Sequence, residues 1–179
     1  MNLVGKIVAV HRALRSAELD HAFGGALALA WCTGQARGTI DIDVNIFVGT
    51  DELARLLSAL PEEVAVRAED ERLLERDGQA RLWWEATPVD VFLNVLPFHE
   101  QVGRQVRWEL FAGERVPFLA CRDLAVFKVF YNRTKDWADL EAMHEADTLD
   151  LTYVRSVVAE LLGADDHRLA RLQALASEA

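Results

Sequence analysis

Residues 39–48, Thr-Ile-Asp-Ile-Asp-Val-Asn-Ile-Phe-Val, constrain the fold more than any other part of the chain. Along a strand, successive side chains point to opposite faces. Ile40, Ile42, Val44 and Ile46 then share one face, and Asp41, Asp43 and Asn45 the other. The apolar face calls for helices packed on it. The acidic face is harder to explain, because aspartate is a poor strand residue. Its two carboxylates stand one pleat repeat apart, roughly 6–7 Å. At that spacing they repel each other, and a divalent cation removes the conflict. Hard oxygen ligands suit Mg²⁺ or Mn²⁺. Two aspartates alone would more often mean a solvated sheet face.

A third carboxylate shifts the balance. In Thr-Pro-Val-Asp-Val-Phe-Leu-Asn, residues 87–94, Val89, Val91 and Leu93 go one way and Asp90, Phe92 and Asn94 the other. If this strand pairs with the first, Asp90 lies across from Asp41 and Asp43. Three carboxylates holding two metal ions form a centre for phosphoryl transfer. Gly24-Gly25 fits the same chemistry. Glycines between a strand and a helix let backbone N–H groups approach a phosphate at the positive end of the helix. A tight strand–helix turn is the plainer reading of two glycines. Fifteen residues separate Gly25 from Asp41, enough for one helix and a return turn. Arg37 and Thr39 precede the first aspartate and either touch triphosphate or shape that turn.

Elsewhere, hydrophobic periodicity predicts helices over about 2–18, 26–31, 51–60, 69–76 and 98–107. In the first, Leu3, Ile7, Val10 and Leu14 are spaced by Lys6, Arg12 and Arg15. Further short strands are expected at 21–23, 63–67, 81–85 and 115–119. Four helices then follow at about 122–132, 135–146, 150–162 and 166–177. The expected class is α+β: a mixed sheet flanked by helices over residues 1–120, then a C-terminal helical lobe over 121–179. With 51% hydrophobic residues in 179, this suits one compact unit.

The net charge of −10 does not draw polyanions from a distance, so a nucleic-acid partner would need a local basic patch. Cys32 and Cys121 give no CxxC and no disulfide framework, which reads as a reducing, cytoplasmic setting. The longest apolar run, Gly24 to Cys32, is too short to cross a bilayer, and the N-terminus has no signal-peptide core. No membrane partner is expected.

Gly-Gly, a helix, Arg-Gly-Thr-Ile-Asp-Ile-Asp-Val and a later strand with one aspartate together resemble the nucleotidyltransferase fold of the DNA polymerase β superfamily. GGALALAWCTGQARGTIDIDV resembles the AbiEii-type nucleotidyltransferase toxins. CRDLAVFKVFYNRTKDWADLEAM resembles that family's second signature, carried here by Lys128, Arg133, Lys135, Asp136 and Asp139. The resemblance implies metal-dependent NMP transfer from an NTP, with Asp41, Asp43 and Asp90 as catalytic metal ligands for Mg²⁺ or Mn²⁺. It implies nucleotide binding by Gly24, Gly25, Arg37, Thr39 and the second signature. Lys128 and Lys135 would meet phosphates, and Asp136 and Asp139 would organise the basic groups. Read without it, the second signature is a set of ion pairs joining two helices. The implied acceptor is the 3′ end of tRNA, and the implied setting a toxin–antitoxin pair with a cognate antitoxin as partner. Other acceptors are an aminoglycoside-like small molecule, which an acidic cleft would suit, or a protein taking AMP or UMP. A non-catalytic nucleotide-binding module is the remaining alternative. Trp83, Trp84, Trp108 and Trp137 are expected in core or interface positions, and His99 as a structural histidine.

Overall fold

The computed structural model describes residues 1–177. The chain divides into two units: residues 1–27 with 38–119, and residues 28–37 with the chain from Ala120 onward.

The first unit is built on a sheet whose seven described strands are β1 (His21–Phe23), β2 (Ile42–Ile46), β3 (Val64–Ala65), β4 (Gln79–Trp84), β5 (Thr87–Leu93), β6 (Arg107–Phe111) and β7 (Glu114–Phe118). Their order is β3-β4-β5-β2-β1-β7-β6. β2 runs parallel to β5 and β1 parallel to β7, and the other pairings are antiparallel, so the sheet is mixed. Helices α1 (Leu3–Ser16), α3 (Leu53–Ala59), α4 (Ala68–Asp77) and α5 (Pro97–Gly103) accompany it, with a 3₁₀ turn at Thr50–Glu52. α1 forms because Asn2 caps it, accepting the Gly5 N–H at 2.8 Å, and because Ile7, Val10 and Leu14 make one buried stripe. Ile42, Val44, Ile46, Val89, Val91 and Leu93 are buried as the alternation requires.

Several details depart from the sequence reading. β2 starts at Ile42, so Asp41 precedes the strand and Ile40, expected on the apolar face, is 72% exposed. Lys6, expected on the polar side of α1, is buried. Its ammonium donates to Trp84 O (2.9 Å) and Thr87 Oγ1 (3.0 Å) and pairs with Glu85 (2.9 Å), tying α1 to the β4–β5 turn. The helix expected to reach 107 stops at Gly103, and β6 was not foreseen. Ala112 (φ +51°) and Gly113 (φ +87°) are both left-handed, the conformation of a two-residue hairpin turn, which turns β6 back into β7.

Helix α2 (Gly25–Thr33) begins in the first unit and continues into the second. The second unit is helical, with α6 (Cys121–Tyr131), α7 (Thr134–Glu145), α8 (Leu151–Leu162) and α9 (His167–Ser177). Leu124, Val129, Leu140, Met143, Val154 and Val158 fill its core. Asn132 (φ +56°) ends α6, and its Oδ1 accepts the buried Trp137 indole N–H at 2.7 Å. The start of α7 is capped by Asp136, whose Oδ2 accepts the Arg133 N–H at 3.1 Å. The cysteines also differ from expectation. Cys32 and Cys121 are joined by a disulfide with 5.5 Å between Cα atoms. A spacing of 89 residues hides such a pair, since only the fold brings the two positions together.

Candidate active site

In the first unit the parallel register of β2 and β5 pairs Asp43 with Asp90. Asp41 lies two residues before Asp43, just ahead of the strand, where Thr39 shapes the backbone. The Thr39 hydroxyl accepts the Asp41 N–H at 3.2 Å and donates to the Asp41 carbonyl at 3.4 Å. The three aspartates of the sequence reading thus sit on neighbouring segments, Asp43 and Asp90 directly across from each other.

The glycine pair closes against this group. Gly24 N–H donates to the Asp43 carbonyl at 2.9 Å. Gly25 adopts φ +52°, and a Cβ there would stand 1.9 Å from Asp43 Oδ2. Glycine is required twice over, by the backbone angle and by the carboxylate against it. The sequence reading assigned Gly24 and Gly25 to a phosphate. The structure shows that Gly25 first makes room for Asp43, at the positive end of α2.

One participant was missed. The antiparallel register of β4 and β5 sets Arg81 opposite Asp90. Its guanidinium grips that carboxylate with two bonds, Nε to Oδ1 and Nη2 to Oδ2, both 2.7 Å. The same Nη2 is 3.6 Å from Asp41 Oδ2. These bonds and the charges of Asp90, Asp41 and Asp43 hold Arg81 more firmly protonated than usual. Among the described residues no group of three or more His, Cys, Asp or Glu side chains stands arranged to hold a metal ion. Both Asp90 oxygens are turned to the Arg81 fork.

The other predicted residues belong to the second unit. Lys128 is buried in α6 and donates to Asp139 Oδ2 at 2.5 Å, with Asp136 Oδ1 at 3.9 Å. Arg37 reaches the same Asp139 with both terminal nitrogens, Nη2 to Oδ2 at 3.0 Å. Arg133 forks onto Asp136, Nε to Oδ2 at 2.7 Å and Nη2 to Oδ1 at 3.1 Å. Lys135 is exposed. Buried charges of this kind require close partners, and here the partners of Lys128 are carboxylates. His99 is buried in α5, its Nδ1 3.2 Å from the Leu96 N, and burial lowers its pKa. Trp84 and Trp137 are buried, while Trp83 and Trp108 are partly exposed.

No family model matches the chain, and no curated protein matches it in sequence. Solved structures match it in fold. The antibiotic-resistance factor ANT(2'')-Ia superposes with a TM-score of 0.58 at 14% identity, over 98% of this chain and 97% of its own. The same factor in complex with adenylyl-2''-tobramycin gives 0.55 at 14% identity, with the same coverage. A nucleotidyltransferase-like protein from Paracoccidioides brasiliensis gives 0.54 at 16% identity, over 98% of this chain and 87% of its own. The fold is therefore the α+β nucleotidyltransferase fold, a mixed sheet flanked by helices.

Proposed function

We propose that the protein is a metal-dependent nucleotidyltransferase that moves NMP from an NTP to an acceptor hydroxyl and releases pyrophosphate. The observation that carries this reading is the in-register pairing of Asp43 with Asp90, beside Asp41 and the Gly24-Gly25 opening of α2. The donors suit Mg²⁺ or Mn²⁺, all being carboxylate oxygens, and a guanidinium already stands among them as a substitute cation. Bound there by Asp41, Asp43 and Asp90, two such ions would activate the acceptor hydroxyl and neutralise the triphosphate. The acceptor oxygen attacks the α-phosphorus, the bond from that phosphorus to the bridging oxygen breaks, and pyrophosphate leaves. Gly24 and Gly25 offer backbone and helix-end charge to a phosphate. In the second unit Arg37, Lys128 and Arg133 set three positive charges against the two of Asp136 and Asp139. That positive excess, with exposed Lys135, suits a role in nucleotide binding. The Cys32–Cys121 disulfide removes the cysteine argument for a reducing compartment, and a cytoplasmic site of action rests on the NTP donor alone.

A small, hydroxylated, cationic acceptor agrees best with the charge of −10, and ANT(2'')-Ia is a fold neighbour captured with an adenylylated aminoglycoside. The resemblance of GGALALAWCTGQARGTIDIDV to AbiEii-type toxins favours a second reading, transfer to the tRNA 3′ end by a toxin held by an antitoxin. That reading needs a basic face. Arg107 already lies 2.6 Å from Glu109, and Arg104 4.0 Å from Glu100. Incubation with each α-labelled NTP, Mg²⁺, and either total tRNA or an aminoglycoside panel separates the acceptors. Label should appear on one of them, and label on neither would count against both acceptors.

A further inference from the structure

We infer that Arg81 is the resident counter-ion of the acidic strand pair, and that a divalent metal entering this site must displace its guanidinium from Asp90. The inference rests on reading Asp41, Asp43 and Asp90 as the metal ligands. β4 alternates, with Gln79, Arg81 and Trp83 on the outward side. Arg81 is half exposed, at 49%. Its guanidinium occupies both oxygens of Asp90, whose side chain is only 17% exposed. One nitrogen of the fork also reaches toward Asp41. The guanidinium therefore stands where an ion shared by those two carboxylates would have to bind. A planar fork matches a carboxylate in this way, and an ammonium does not.

This arrangement has a cost and a use. Without a cation, three neighbouring carboxylates repel one another, and Arg81 offsets that repulsion in the ion-free protein. The same positive charge opposes a second cation at close range, so it weakens metal binding. The competing reading is a cross-strand surface pair that contributes about 0.2–1 kcal/mol to the sheet and nothing to the site. The two readings separate on metal affinity, because a purely structural pair has no reason to set it.

The test is a Mn²⁺ titration of the full chain without nucleotide, following free Mn²⁺ by its paramagnetic resonance signal. Arg81→Gln should bind Mn²⁺ more tightly than wild type, by about fivefold, the effect of losing one partly exposed charge. Arg81→Lys keeps the charge without the fork and should tighten binding by less, about twofold. Asp43→Asn should lose binding. Mn²⁺ binding that is unchanged or weaker in Arg81→Gln, while Asp43→Asn loses it, overturns the role of Arg81 and leaves the metal site standing. Binding that survives Asp43→Asn, or that wild type lacks, overturns the metal-site reading and the inference with it. Should Arg81→Gln fail to fold, Arg81→Lys decides in its place, and no tightening there is the contrary result.

Discussion

Gly25 illustrates how much one position carries. Its left-handed backbone costs a residue with a side chain about 1–2 kcal/mol, and the carboxylate of Asp43 fills the space a Cβ would need. Gly25→Ala should lower stability by at least that much and displace Asp43. Thermal melting gives the first effect, and weakened Mn²⁺ binding gives the second. Melting equal to wild type would mean that the close approach is not rigid. Such residues were legible in the sequence because they contradict their surroundings: two glycines before an Ala/Leu run, and aspartates alternating with isoleucine and valine. Arg81 was not. An arginine at an outward position of an alternating strand looks ordinary, and only the β4–β5 register sets it against Asp90.

Among the elements, β2 and β5 could be read as strands, and their apolar faces assigned, because Ile42, Val44, Ile46, Val89, Val91 and Leu93 recur at period two. β6 could not. Arg-Trp-Glu-Leu-Phe is short, lies at the sheet edge, and follows a helix whose periodicity runs on into it. The link between α1 and β1 was also hidden. His11 and His21 are buried, with Nδ1 of the first 2.9 Å from Nε2 of the second. His21 Nδ1–H donates to the Leu19 carbonyl at 2.8 Å, so its Nε2 accepts from His11. His11 Nε2 is left buried without a hydrogen-bond partner. Burial lowers the pKa of His21 to about 4, despite nearby Asp20, and lowers that of His11 despite Glu114, with Arg12 and Arg15 adding to the fall. The unfolded chain therefore takes up protons first. Stability is full above pH 6.5 and is lost as pH falls toward 4, with His21 accounting for about 2 kcal/mol by pH 5. Urea unfolding at pH 7.5 and pH 5 checks this, and His21→Gln should reduce the difference. An equal loss in that variant would place the sensitivity elsewhere.

For the whole molecule, the order of strand and helix periods gave an α+β chain, and the helical C-terminal third was plain from its closely spaced apolar periods. The disulfide was not plain, since its loop spans 89 residues. Reduction, or Cys32→Ser, should cost about 2–4 kcal/mol, read as a lower melting temperature under a phosphine reductant. Net charge bears on the acceptor. If the substrate is tRNA, transfer should fall steeply with salt, and Arg104→Glu with Arg107→Glu should weaken it while NTP binding holds. If it is a small cation, that double reversal should leave transfer near wild type. The central claim is that Asp41, Asp43 and Asp90 form a metal-dependent nucleotidyl-transfer centre. Its most direct test is pyrophosphate release from NTP and acceptor by wild type and by Asp43→Asn, with melting curves in EDTA to show that both are folded. The account predicts Mg²⁺- or Mn²⁺-dependent release by wild type and a loss of at least a hundredfold, roughly 3 kcal/mol of transition-state stabilisation, in the variant. Release by folded Asp43→Asn at the wild-type rate would contradict it.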